Sequence, residues 1–419
     1  MHDIFTLSNG LRVVIEKIEY VNSVSFGLWV ENGSRNENPT NNGISHFIEH
    51  MLFKGTHNRS AKDIAEAIEN VGGQLNAFTS KETTCFYAKT LYNHLELSMD
   101  VISDMLFHSK LDEEDIEKEK GVVIEEINMN EDSPEDVLGD LHSKAIWGED
   151  PISYPVLGTI DTVKSFHKKE LREYINQYYI PENSVISICG KIDIIETKKL
   201  IEKFFGHWNS SQKKITCYSC PNILKNNFLK EKPIEQVHIS LGMKGIALGD
   251  DDLYPMLLVN NVFGGGVASK LFQKVREELG LCYTIYSYNS SFNKTGTLNI
   301  YTGVSPQYVN LALEAINNEI SEFCHKEIYD IDLDVSKEQL KGFYILGAES
   351  VSSKMFANGK SVLFLNKIIT PKDMIEKIDN ITMENVLQVM NRTFKHGILN
   401  SAFVGNHIDI NKINDIISI

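Results

Sequence analysis

No stretch of this 419-residue chain is apolar for long enough to cross a membrane. The opening residues, Met1 to Gly10, lack the basic start, apolar run and small-residue cleavage site of a secretory signal. They also lack the Arg-rich amphipathic character of an organellar presequence, and read instead as a strand–turn–strand around Ser8-Asn9-Gly10. Basic residues are in deficit, 41 Lys and Arg against 57 Asp and Glu, for a net charge of -16. That balance argues against nucleic acid and anionic membrane as partners and suits neutral or basic peptides. Cysteine is scarce and scattered, at positions 85, 189, 217, 220, 282 and 324, which fits a reducing compartment better than a disulfide framework. Cys217 and Cys220 form a single C-x-x-C with no second pair, and read as two thiols in a connector. Gly264-Gly265-Gly266 follows a helical pattern and precedes no Lys-Ser/Thr, so it is no phosphate cradle. The expectation from these absences is a cytoplasmic globular protein. With 42% apolar and 23% charged residues it is long enough for two or more domains.

The positive signal is His46-Phe-Ile-Glu49-His50. Histidines four apart on a helix project from neighbouring turns, so both imidazoles can reach one metal ion. Glu49 falls on the same face, about 60° from His46 and about 100° from His50. Imidazole suits zinc, and a carboxylate beside a zinc-activated water can take its proton. This H-x-x-E-H order reverses the commoner H-E-x-x-H and points to a zinc-dependent peptidase. The remaining histidines (57, 94, 108, 142, 167, 207, 238) lack a partner at ligand spacing and read as surface or packing residues.

Apolar periodicity alternates along the chain. A strand is expected at 23–32, helices at 43–54 and 61–71, a hairpin at 75–91, helices at 93–109 and 111–130, and another after Ser133-Pro134. The fold class is α+β, helices packed on a largely antiparallel sheet. Sliding the chain by 210 positions lays Ser45–Gly55 on Pro255–Gly265, matching Phe53 with Phe263 and Gly55 with Gly265. At the metal positions the second block offers Met256, Val259 and Asn260, none a zinc ligand. We therefore expect two tandem domains of one fold. The metal-binding one spans 1–210 and the non-metallated one 233–419, with a polar linker over 211–232.

A third protein ligand is required. The helix from Asp112 to Ile127 supplies candidates, and Val122, Val123, Ile127 and Glu119 mark an inward face around Glu126. Glu119 and Glu126 are seven apart and share a stripe, so one can back the other. Glu125 is a rival, about 100° around the helix from Glu126.

His46–Thr56, Gly73–Lys81 and Glu119–Ile127 resemble the signature blocks of the insulinase/pitrilysin family. Glu126 lies 76 positions after His50, and the duplicated domain agrees. The chain looks most like the bacterial relatives of the mitochondrial processing peptidase β subunit. The resemblance implies one zinc per chain on His46, His50 and Glu126, with Glu49 as general base and Glu119 as a supporting acid. A block from Ala268 to Ile285 is also similar, which implies that Arg276 and Tyr283 face the zinc across a cavity. Arginine can hold a peptide carbonyl or carboxylate, and a phenol can donate to an oxyanion.

The family encloses substrate between two double-domain halves, and this chain supplies one, so a homodimer or a heterodimer with a paralogue is implied. Asn76, Ala77 and Phe78 lie in an edge-like segment, Leu75–Thr79, that an extended or unfolded peptide could join as an added strand. The competing reading is a non-catalytic structural or substrate-presenting subunit of a peptidase assembly.

Overall fold

A computed structural model describes residues 2–211 and 216–417. The chain divides into two compact units, neither contiguous in sequence. Unit 1 gathers the described residues through Asn128 with Pro155–Cys217 and Leu346–Ile369; unit 2 gathers Met129–Tyr154, Tyr218–Ile345 and the described residues from Thr370 on.

Unit 1 is built on strands β1 (His2–Thr6), β2 (Arg12–Lys17), β3 (Ser23–Val30), β4 (Gln74–Thr79), β5 (Thr84–Leu91) and β6 (Ser184–Gly190), in the order β1-β2-β6-β3-β5-β4. All neighbours are antiparallel except β2 and β6. β3 shows why both faces of the sheet are covered. Val24, Phe26, Leu28 and Val30 point to one side, into a core completed by helices α1 (Ile44–Leu52), α2 (Ala61–Glu69) and α3 (Leu95–His108). Helix α4 (Glu113–Asp132) adds Ile116 and Val123 to that core.

On the other side Ser25, Gly27 and Trp29 meet the Val351–Leu365 helix. The approach is close because the residues are small: a Cβ on Gly27 would lie 2.4 Å from Met355 Sδ, and one on Gly359 would lie 2.2 Å from Trp29 Nε1. Polar pins fix the helix. Arg12 donates to the carbonyls of Val362 and Leu363 near its C-terminus, and Ser187 donates to the Met355 carbonyl. Glu16, 6% exposed, accepts from Lys354 and Asn358 at 2.8 Å each.

Unit 2 repeats the plan with β7 (Asn227–Glu231), β8 (Val237–Lys244), β9 (Cys282–Phe292), β10 (Thr295–Val304) and β11 (Asn400–Gly405), in the order β7-β11-β8-β10-β9. Again a single parallel pair, β7 with β11, stands among antiparallel neighbours. The order matches β2-β6-β3-β5-β4 strand for strand, so the expected duplication of one α+β fold is present. One face of this sheet is covered by helix α5 (Pro134–Trp147), whose Val137 and Leu138 pack with Tyr301, Ala402 and Val404. Ser133 caps α5 by accepting from the Asp136 amide, as its Ser-Pro start predicts. His142 of α5 is buried, bonded to Asn400 at 3.0 Å and Ser240 at 2.7 Å, and burial pushes its pKa down to about 4.

The units differ from the expected division at 211–232 in two respects. The first half of the sequence gives α5 to unit 2, and the second half gives Val351–Leu365 to unit 1. An amphipathic pattern says that a face is buried without saying against which sheet. The expected linker also contains a strand, β7, paired along its length with β11. Residues 212–215 of that linker lie outside the described residues. Cys217 and Cys220 are free and exposed, and Gly264-Gly265-Gly266 ends the Leu253–Gly264 helix rather than following a strand. Met256 and Val259 are fully buried in the second core, and Asn260 accepts from Ser287 at 2.7 Å. No helix among the described residues is long and apolar enough to cross a membrane.

The Glu16 contacts carry a pH dependence. Burial opposes ionisation, but His2, Lys354 and Asn358 outweigh it and hold the carboxyl down from 4.5 to about 2. A depressed folded-state pKa stabilises fully above the unfolded value and is lost as pH falls through the folded one. Glu16→Gln is therefore expected to cost roughly 3 kcal/mol above pH 4.5, with the gap to wild type closing toward pH 2. Urea melts across that range check it, and a pH-independent gap would remove the ion pair from the account.

Candidate metal centre

Helix α1 is two-sided. Ile44, Phe47, Ile48 and Met51 are fully buried in the first core, which turns His46, Glu49 and His50 to the opposite side. The helix starts at Gly43 with φ +92°, where a Cβ would lie 2.7 Å from Gly158 Cα, so only glycine fits that junction. Helix α4 brings Glu119 and Glu126 to the same place, with Val123 anchored in the core between them.

The expected inward face of α4 needs one correction, since Val122 is 50% exposed; Ile116, Glu119 and Val123 are buried, and Ile124 and Ile127 pack partly buried against the core. A twenty-residue helix touching the core along one narrow stripe leaves the position beside Val123 in solvent. Glu125 is exposed.

Glu126 Oε2 lies 3.7 Å from His46 Nε2 and 3.5 Å from His50 Nε2, and the candidate ligand atoms of the three residues fall within 4.8 Å of one another. Ligands at 2.0–2.1 Å in a tetrahedron are separated by about 3.3 Å, so the spacing fits a zinc ion with small adjustments. Donor chemistry agrees: two imidazoles and a carboxylate, with a fourth position left over. His50 Nδ1 bonds to Glu119 Oε1 at 2.8 Å, which leaves Nε2 to face Glu126. The other oxygen of Glu119 receives Lys54 Nζ at 2.6 Å. Glu49 accepts a hydrogen bond from Thr79 Oγ1, at the end of β4, at 2.5 Å.

The electrostatics show a site that wants positive charge. Burial works against a cationic His50, yet its bonds to Glu119 and Glu126 raise it to about 9. Burial and the charge of His50 push His46 down to about 4. Glu119, despite burial, is lowered by His50 and Lys54, and Glu126 is lowered by His50. Glu49 moves the other way: burial raises it against the pull of Thr79. The His50 ring lies between two carboxylates, an arrangement that suits a cation beside it.

Two family models match the sequence, Insulinase (Peptidase family M16) over residues 12–160 and Peptidase M16 inactive domain over residues 165–340. A Bacillus subtilis protein named as an uncharacterized zinc protease is 44% identical over 91% of this chain and 93% of its own. The chain belongs to the insulinase family of peptidases. A Streptomyces coelicolor protein of the same description is 37% identical over 92% of this chain and 85% of its own. A Helicobacter pylori protease structure shares the insulinase-family fold at a TM-score of 0.89 and 22% identity, covering 97% of this chain and 99% of that one. A Pseudomonas fluorescens structure described as a peptidase M16 inactive domain also aligns at 0.89, with 16% identity, covering 97% of this chain and 98% of that one.

The other expected site residues are divided between the two units. Arg276 and Tyr283 belong to unit 2, where the guanidinium stacks over the rings of Phe272 and Tyr283 and Tyr283 is 78% exposed. Arg276 sits in a π-helical stretch, Phe272–Glu278. Asn76, Ala77 and Phe78 lie on β4, an edge strand whose one strand partner among the described residues is β5. Ala77 points to the α1 side, while Phe78 points away into rings of Trp29, Tyr87 and Phe356. Thr79 and Lys54 were not singled out from sequence. Lys54, four residues after His50 and just past the end of α1, could have been; Thr79 depends on the pleat of β4.

Glu119→Gln removes the negative charge that pairs with both His50 and Lys54 and so loosens the hold on the His50 ring. It is expected to weaken zinc binding by about 10–100-fold, measured by competition against a chromophoric chelator. Unchanged affinity would deny Glu119 that role.

Proposed function

We propose that this chain is a zinc-dependent endopeptidase acting on extended or unfolded peptides. The observation that carries the reading is the convergence of His46, His50 and Glu126 beside Glu49, whose partner Thr79 ends the edge strand β4. His46, His50 and Glu126 would hold the zinc, which when bound supplies Lewis acidity toward water and the peptide carbonyl.

Glu49 takes the proton of the attacking water and passes it to the leaving amine nitrogen, and burial raises its pKa toward the range such a shuttle needs. A substrate segment adds to β4 backbone to backbone, which selects extended chains and tolerates varied side chains. The Ala77 amide now donates to Asn76 Oδ1 at 2.8 Å, so an incoming strand takes that donor from Asn76. The charge of -16 favours neutral or basic peptides. We place the protein in the cytoplasm and its working form as a dimer, identical or with a paralogue. Arg276 and Tyr283 of one subunit then complete the site of the other: the guanidinium holds a substrate carbonyl or carboxylate, and the phenol donates to the oxyanion.

Metal analysis of purified protein, run beside cleavage of a quenched basic peptide, tests this directly. About one zinc per chain is expected, with turnover abolished by chelator and reduced by at least ~100-fold in Glu49→Gln while zinc is retained. Wild-type rates from Glu49→Gln would refute the base assignment, and zinc-free protein would favour a structural subunit. Sharing is tested by mixing inactive Glu49→Gln with Tyr283→Phe chains. Recovered cleavage is expected, and none despite demonstrated subunit exchange would rule it out.

A further inference from the structure

The segment Gly33–Glu37 touches both parts of the candidate site. On one side it is bonded to the β4–β5 turn: Ser34 N donates to the Ser80 carbonyl at 3.2 Å and Arg35 N to the Lys81 carbonyl at 2.8 Å. The Arg35 guanidinium meets Glu82 Oε1 at 2.5 Å, with Arg35 and Glu82 only 6% and 5% exposed. Gly33 lies so close that a Cβ would come within 2.1 Å of the Ser80 carbonyl oxygen.

On the other side Glu37, 3% exposed, covers the start of α1. Its Oε2 accepts from Gly43 N at 2.7 Å and Asn42 Nδ2 at 2.9 Å, and its Oε1 accepts from Ser45 N at 2.9 Å. Gly43 has no side chain with which to cap the helix, so a carboxylate from outside the helix supplies acceptors that a serine or aspartate would otherwise provide.

We propose that Glu37 and the Arg35–Glu82 ion pair form one brace that fixes the position of α1 against the β4–β5 hairpin, making Arg35, Glu37 and Glu82 positioning residues. The Thr79–Glu49 hydrogen bond is the second attachment between the same two elements. Core packing of Ile44, Phe47, Ile48 and Met51 seats α1, and the two polar attachments set the finer offset of its polar face from the strand. The brace sits at the helix start and the Thr79 bond at its middle. A peptide laid along β4 and a proton acceptor on α1 then keep a constant offset, and reactivity falls steeply with small misplacements.

This inference rests on the peptidase reading for its catalytic consequence but not for its structural one, and the test separates them. Hydrogen–deuterium exchange read by mass spectrometry on metal-free full-length protein compares wild type, Glu82→Gln and Glu37→Gln, with Glu82→Asp in reserve should Glu82→Gln fail to fold. The brace requires that Glu82→Gln, altered in the hairpin turn, speeds exchange in peptides covering 43–53 as well as 80–84. Faster exchange confined to 80–84 overturns it, whether or not the protein cleaves anything. In the cleavage assay Glu37→Gln and Glu82→Gln are expected to lower kcat about tenfold with KM unchanged, and Glu82→Asp to recover part of the loss. Loss through KM alone, or equal loss in Glu82→Asp, counts against positioning. A wild type with neither zinc nor turnover removes the peptidase reading and leaves the exchange result to decide the brace.

Discussion

His50 bonds through Nδ1 to Glu119 across 2.8 Å, and the remaining ring nitrogen is thereby aimed at Glu126. Glu119 is almost fully buried, a costly place for a carboxylate unless each oxygen has a charged or donating partner. His50 satisfies one oxygen from the last turn of α1, and Lys54, just past the helix end, satisfies the other. Remove that arrangement and the site loses its orientation as well as its charge balance. The imidazole can rotate, the acid is stranded, and Glu126 faces one ligand in place of two. The geometry of the candidate centre is therefore set by a contact that lies behind its candidate ligand atoms.

Much of this was legible in the residues. H-x-x-E-H on an amphipathic stretch located α1 and its polar face, and the seven-residue interval between Glu119 and Glu126 placed both acids on one side of α4. Local periodicity carried that information, because neighbours on a helix are neighbours in sequence. Val122 was misplaced for the same reason. An apolar pair in a mostly charged helix suggests a broader buried face than a helix lying along one narrow stripe possesses. Thr79 escaped because its partner is thirty residues away and the pairing depends on which way the β4 pleat falls. Glu37 escaped because a cap delivered from outside the helix follows none of the local capping patterns.

The duplication was legible through a shared block of apolar and glycine residues, but the exchange of helices was not. Each half of the chain makes a sheet of the same strand order, and each sheet is closed on one face by a helix from the other half. In unit 1 the closing face is made of Ser25, Gly27 and Trp29, small residues around one large ring, matched by Gly359 and Met355. Such complementarity has no signature along the sequence, since the matching positions lie more than three hundred residues apart.

That exchange has a consequence for how the protein comes into being. Every element bearing the candidate metal ligands has been synthesised by residue 132, and the last strand of their sheet by residue 190. The helix that seals the sheet's second face does not begin until Val351. For most of its time on the ribosome the unit carries Trp29, Val185 and Cys189 on an uncovered apolar face. A nascent chain cut short between residue 132 and Val351 holds every candidate ligand but lacks the cover of its sheet's second face. Closure of the unit thus waits until residue 365 has been made, and shorter products are left with a surface that aggregation and proteolysis can recognise.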